Sequence, residues 1–195
     1  MRDLKSSAIA VVVLTLVLGL ALPALFTGFA KLAFSSQADG SLVKRDGTVV
    51  GSRLAAQAFT SARYFHERPS ATSPAYNAGG TTFANLGPRN PDLAKQVHQD
   101  AQAVIKLEGP YNPGLTIRDI PVDAVTTSGS GIDPDISPAY ARLQARRVAA
   151  IRHLPLSTVL GLVKKHTDGR SLGFLGEPGV NVLELNLALD REASS

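Results

Sequence analysis

The sequence predicts an α+β protein, with one N-terminal transmembrane helix followed by a single mixed α+β extracytoplasmic domain. Three observations carry this. Residues 6–30 form an apolar run without a charged side chain. Asn90-Pro91 and Ser137-Pro138 each set a capping side chain ahead of a proline, the mark of a helix start. Residues 41–52 place two β-rich runs about Asp46-Gly47, a pair suited to a tight hairpin turn. The corresponding division is 1–5 as a cytoplasmic N-terminus, 6–34 as the transmembrane helix and 35–195 as the soluble domain.

At about 1.5 Å per residue, a helix over the apolar run spans roughly 37 Å. That exceeds a hydrocarbon core of about 30 Å, so the helix crosses with some tilt. The rival is a cleaved signal peptide, with Ser36-Gln37-Ala38 as its cleavage site. A signal core is only about 7–15 residues, so an uncleaved anchor is the better reading. Pro23 is tolerable because a membrane helix can re-satisfy the freed carbonyl locally or through a neighbour. Ala24 and Gly28 share a face on which another helix could approach closely. Arg2 and Lys5 precede the run, whereas Lys31 alone follows it closely, and the next basic residue is Lys44. The positive-inside bias thus puts the N-terminus in and the bulk of the chain out.

The net charge is +4, and setting aside Arg2, Asp3, Lys5 and Lys31 leaves +2 for the soluble part. That is a mixed surface rather than a nucleic-acid footprint. The sequence has no cysteine, which excludes disulfides, thiolate metal sites and thiol nucleophiles. The soluble part is long enough to bury around two-thirds of its surface without such staples.

After the hairpin, residues 54–64 read as a short helix ending in aromatics. Residues 66–91 are dense in proline, glycine, asparagine, serine and threonine. A run that long without periodicity is usually functional or disordered. Tyr76, Phe83, Arg68 and Arg89 argue for an ordered loop that docks on something. Asn90 caps a helix carrying Leu93, Val97, Ala101, Val104 and Ile105 at helical spacing, stopped by Gly109-Pro110. Residues 120–127 read as a strand feeding the Gly-rich corner TTSGSGIDPDIS, 126–137. The Ser137-Pro138 helix runs to about His153, with Arg142, Arg146 and Arg147 on its polar side. Ser157 caps a further helix ending near His166, and Leu154-Pro155-Leu156 joins the two as a helical hairpin. Residues 180–190 alternate, with Leu183, Leu185, Leu187 and Leu189 on one face of a strand.

The corner at 126–137 invites three chemical readings. A P-loop needs a lysine after its glycines, but Ser128-Gly129-Ser130-Gly131 is followed by Ile132 and Asp133, which repels phosphate. Ser128 or Ser130 with His166 and Asp133 would name a triad, yet no nucleophile elbow is present. Metal binding is not indicated, because His66, His98, His153 and His166 do not pair at helical spacing and Asp133-Pro134-Asp135 lacks the calcium-loop pattern. The remaining reading is structural: Asp133 and Asp135 accept turn amides, and Asp135 and Ser137 sit near a helix N-terminus.

Several stretches resemble the C subunit of the Kdp potassium-transporting ATPase of bacteria and archaea. They are Gly51-Ser52, FTSARYFHERPSA (59–71), NLGPRNPDL (85–93), VTTSGSGIDPDISPAYARLQARRVA (125–149) and HTDGRSLGFLGEPGVNVLELNLALD (166–190). The resemblance covers nearly the whole chain, including the membrane helix. One departure is Thr81-Thr82-Phe83-Ala84, which intervene between Gly79-Gly80 and Asn85-Leu86, where the family sets its asparagine and leucine close after the glycines.

The resemblance implies an accessory subunit, not an enzyme on its own, of a high-affinity ATP-driven potassium uptake complex. Its partners would be a channel-like potassium-binding subunit, a P-type ATPase subunit and the lipid bilayer. It also implies ATP binding and a chaperone-like role in assembly and in raising the ATP affinity of the ATPase subunit. The charge bias, however, puts the domain on the side of the membrane away from ATP. The combined reading favours complex-stabilising or entry-side contacts over direct contact with ATP. Candidate partner or ligand contacts are Arg68, Ser70, Tyr76, Asn85 and Arg89, with Ser128, Gly129, Ser130, Gly131, Asp133 and Asp135 of the corner. No catalytic and no metal-ligating residue is assigned. Potassium specificity rests on the resemblance, since filters use rings of pore-loop carbonyls and none is evident. The alternatives are a membrane-anchored extracytoplasmic hydrolase using Ser130, or a ligand-binding module released after Ala38.

Overall fold

A computed structural model describes residues 2–192 and divides them into two compact units after Val50. The first unit is dominated by helix α1, Arg2–Ala33, long and apolar enough to cross a membrane. Its turns widen to π-helical geometry over Val17–Ala21. Pro23 has no amide to offer the carbonyl four residues back, at Gly19, and the wider turn falls over that position. A further turn, Ser35–Ala38, precedes the hairpin of β1 (Leu42–Arg45) and β2 (Thr48–Ser52). Asp46 and Gly47 both take positive φ, 50° and 80°, the left-handed pair that a two-residue turn requires.

Among the described residues, the second unit packs four α-helices around a small sheet. Helix α2, Pro91–Glu108, starts where expected: the Asn90 side chain accepts from the Asp92 amide at 2.9 Å. It gives way to a 3-10 turn at Gly109–Tyr111. Helix α3, Pro138–Arg152, begins with Ser137 Oγ accepting from the Tyr140 amide at 3.0 Å and ends at His153, in left-handed geometry. Helix α4, Leu156–Lys165, packs back on α3 as the expected hairpin. Three short antiparallel strands follow the order β3 (Asp135–Ile136), β5 (Gly179–Asn181), β4 (Thr167–Asp168). The register sets Ile136 and Thr167 on either side of Val180. Phe65, Ile136, Val148, Val159, Val180 and Leu185 meet in the core.

Five expectations are corrected. Residues 180–190 are not a strand: after β5 the chain turns into helix α5, Val182–Glu192. Its buried positions, Val182, Leu183, Leu185, Asn186, Ala188 and Leu189, follow helical rather than alternating period, and leucine, glutamate and alanine favour helix. Residues 54–64 are not helical, because carbonyls that a helix would use internally are taken by side chains of α3. Arg147 donates to Ala62 O and Tyr64 O, and Arg152 to Arg63 O. Residues 120–127 form 3-10 turn rather than strand at Val122–Ala124. Pro121 lacks a ladder donor, and Asp123 turns aside to accept from Ser137 N and Oγ, at 2.7 and 2.8 Å. Ser157 does not cap α4; Pro155 occupies the cap position. Arg147 does not lie on the polar side of α3 but is fully buried, paired to Glu108 at 2.8 Å.

Candidate functional site

The second unit is organised by the irregular stretch 59–71, gripped from two helices. Asn186 of α5 accepts from Phe65 N at 2.8 Å and donates to Phe65 O at 2.9 Å. One residue on, Gln144 of α3 does the same for His66, accepting at 2.7 Å and donating at 3.0 Å. Each carboxamide acts as a one-residue strand, satisfying backbone groups that no sheet reaches. Arg152 adds an ion pair to Asp190 at 2.8 Å and lies over the Tyr64 ring at 4.7 Å.

The loop that follows is laid onto the Gly-rich corner. Arg68 pairs with Asp133 at 3.0 Å and also donates to the Thr126 and Thr127 carbonyls. Ser70 Oγ donates to Gly131 O at 2.6 Å and accepts from the Thr72 and Tyr76 amides at 3.2 and 3.0 Å. Tyr76 OH donates to Arg68 O at 3.2 Å, and Thr82 N donates to Ser130 O at 3.1 Å. Gly131 sits at φ 74°, and a Cβ there would lie 2.7 Å from the Thr82 carbonyl. Asp133 accepts from the Asp135 amide at 3.1 Å, and Asp135 accepts from Asn181 Nδ2 at 3.1 Å. The docking partner of the loop is thus, in large part, the corner of its own domain.

Of the candidates, the structure joins Arg68, Ser70, Tyr76, Ser130, Gly131, Asp133 and Asp135 in one cluster. Asn85, Ser128 and Gly129 line a separate hollow of about 350 Å³ with Phe83, Leu93 and Gln96. Arg89 stands exposed beside the cap of α2. Sequence reasoning missed Asp123, Gln144, Asn186 and the buried Glu67. Asn186, a lone amide at an apolar position of a leucine-rich helix, was the available signal, since a buried amide needs partners.

The electrostatics are acidic. A hollow of about 500 Å³ beside the corner is lined by Asp123, Asp133, Asp135 and Glu177 against Arg68. Burial, followed by the charges of Asp133, Asp168 and Glu184, raises the Asp135 pKa against its Asn181 hydrogen bond. Burial also pushes the Glu67 carboxyl well above the usual range, helped by Asp135 and Asp133, and its Oε2 has no hydrogen-bond partner among the described residues. Burial, then the Glu67 charge, pushes Tyr76 up to about 12.

This donor set does not fit a triphosphate: carboxylates outnumber the guanidinium, and Arg68 is committed to Asp133 and two carbonyls. Nor does it form a Ser–His–Asp relay. Ser130 Oγ accepts from the Ile132 amide, Asp133 is held by Arg68, and the charges acting on His166 are Glu184, Lys165, Arg191 and Asp168. The bonds of the cluster tie the loop at 68–82 to the corner at 126–133.

Comparison with known proteins adds an independent finding. The family model described as KdpC, the K+-transporting ATPase c chain, matches residues 4–191. A potassium-transporting ATPase KdpC subunit from Methylococcus capsulatus is 51% identical over 187 residues, covering 95% of this chain and 96% of the relative. Counterparts from Gemmatimonas aurantiaca and Beijerinckia indica are 49% and 47% identical, each over 97% of this chain and over 93% and 94% of the relative.

Proposed function

The chain belongs to the KdpC family, the c chain of the K+-transporting ATPase, and from that premise we propose that it is a non-catalytic accessory subunit of an ATP-driven potassium uptake complex. The observation that carries the reading is the match over residues 4–191, which includes the apolar helix as well as the folded domain. In this role α1 anchors the chain once in the cytoplasmic membrane with its N-terminus inside. The domain stands outside and stabilises the larger subunits by contact. Those subunits are the channel-like potassium-binding chain and the P-type ATPase chain, and the chemistry of ATP belongs to the latter.

Any gain in ATP affinity then passes through subunit contacts rather than through a nucleotide on this domain. Two features support that route. The Arg2 and Lys5 flank favours an outside domain, and the acidic hollow favours basic groups over phosphate. Affinity purification of the tagged full chain from its native membrane tests the reading. Recovery of two larger membrane subunits, with loss of potassium uptake at low external potassium on deletion, is expected. A chain that purifies alone, with uptake unaffected by deletion, contradicts it.

A further inference from the structure

A second feature of the domain lies outside the cluster just described. Between β4 and β5 the chain folds into a tight tip. Ser171 and Leu175 exchange two backbone hydrogen bonds, both 2.9 Å. Gly173 N donates to Arg170 O at 3.0 Å. Arg170 closes the base on both oxygens of Glu177, at 2.8 and 2.7 Å. Leu172, Gly173 and Gly176 all take positive φ, at 54°, 82° and 79°, so the turn is tightly specified.

This closed tip presents its apolar side chains outward. Leu172 is 83% exposed, Phe174 68% and Leu175 50%. Grouped large apolar side chains on a hydrogen-bonded turn, held off their own core, mark an interaction surface rather than scattered surface hydrophobicity.

The surroundings indicate what covers it. The tip runs directly through Glu177, Pro178 and Gly179 into the wall of the acidic hollow. There Asp133 is matched by Arg68 and Glu177 by Arg170, while among the described residues no cation pairs with Asp123 or Asp135. An apolar knob beside unmatched carboxylates complements an apolar socket rimmed by lysine or arginine. It does not suit an anionic lipid surface, which would repel those carboxylates and meet no unpaired basic group at the tip.

We propose that the 172–175 tip seats in an apolar, basic-rimmed socket on a larger subunit of the complex. This rests on the accessory-subunit reading and adds to it the surface through which contact is made.

The test is site-directed photo-crosslinking in intact membranes, with a benzophenone amino acid at position 174 and, as control, at the exposed Gln99. An adduct with a larger membrane subunit from position 174 but not from 99 is expected. Phe174→Asp should lower recovery of that subunit at least tenfold, with unchanged melting of the full chain in detergent, and Phe174→Tyr should restore it. Lipid adducts alone, or no adduct while the complex still co-purifies, overturn the docking role and leave the accessory reading standing. If the unmodified chain recovers no larger subunit, the accessory reading falls and the docking role with it.

Discussion

The carboxamide of Asn186 holds both backbone groups of Phe65, accepting the amide at 2.8 Å and donating to the carbonyl at 2.9 Å. Phe65 is fully buried, so neither group has access to water. Replacing Asn186 with leucine leaves two buried backbone groups orphaned, each costing ~1–3 kcal/mol. Asn186→Leu is expected to destabilise the chain by about 2–5 kcal/mol, read from denaturant unfolding of the full chain in detergent. A change below 1 kcal/mol would show that the grip is dispensable.

Arg147 and Glu108 form the most deeply buried ion pair described, and Arg147 also donates to Ala62 O, Tyr64 O and Gln144 Oε1. Arg147→Met strands the carboxylate and two carbonyls, with an expected loss of about 3–5 kcal/mol. The double variant with Glu108→Leu recovers only part of this, because the carbonyls of the 59–71 stretch stay unpaired. Full recovery in the same unfolding experiment would assign the whole effect to the carboxylate.

Glu67 carries the clearest pH dependence. It is 5% exposed, and burial raises its carboxyl well above 4.5. The folded state therefore keeps its proton after the unfolded state has released it, and stability falls as pH rises from about 4.5 through the folded pKa, then levels. Glu67→Gln mimics the protonated form and should remove this slope, leaving the variant more stable than the parent at the alkaline end. Melting temperatures of both proteins across that range check the sign; parallel curves would contradict it.

Gly131 is fixed by both conformation and space: φ is 74°, and a Cβ would meet the Thr82 carbonyl at 2.7 Å and Thr72 Cγ2 at 2.8 Å. Gly131→Ala must move the loop off the corner, costing more than about 1 kcal/mol. Limited proteolysis within 66–91 should accelerate, and an unchanged cleavage rate would separate the loop from the corner.

Much of this was legible in the sequence where local chemistry decides the outcome. The Asn90 and Ser137 caps with their following prolines, the Asp46-Gly47 turn and the apolar run of α1 each act through neighbours in the chain. What was not legible depends on distant partners. Residues 54–64 have helical composition, but their end is drawn out by Arg147 and Arg152, some 85 and 89 residues away. In residues 180–190 a short leucine alternation fits both periods, and the pairing of Asp135 with Asn181 ends the strand where the helix begins. Arg68, Ser70, Tyr76 and Asp133 stand out in the sequence, but their hydrogen bonds join the loop to the corner across distances in the chain that no local pattern encodes.

In the proposed arrangement the domain acts on its partners from outside the membrane. The chain has no cysteine, and Asp168 is exposed, so Asp168→Cys gives a single reporter. Labelling in intact cells, with the outer barrier opened where there is one, by a membrane-impermeant maleimide is the most direct measurement. The Asp168→Cys chain is expected to react as fully in intact cells as after lysis. Protection until lysis would place the domain inside, beside ATP, and contradict it.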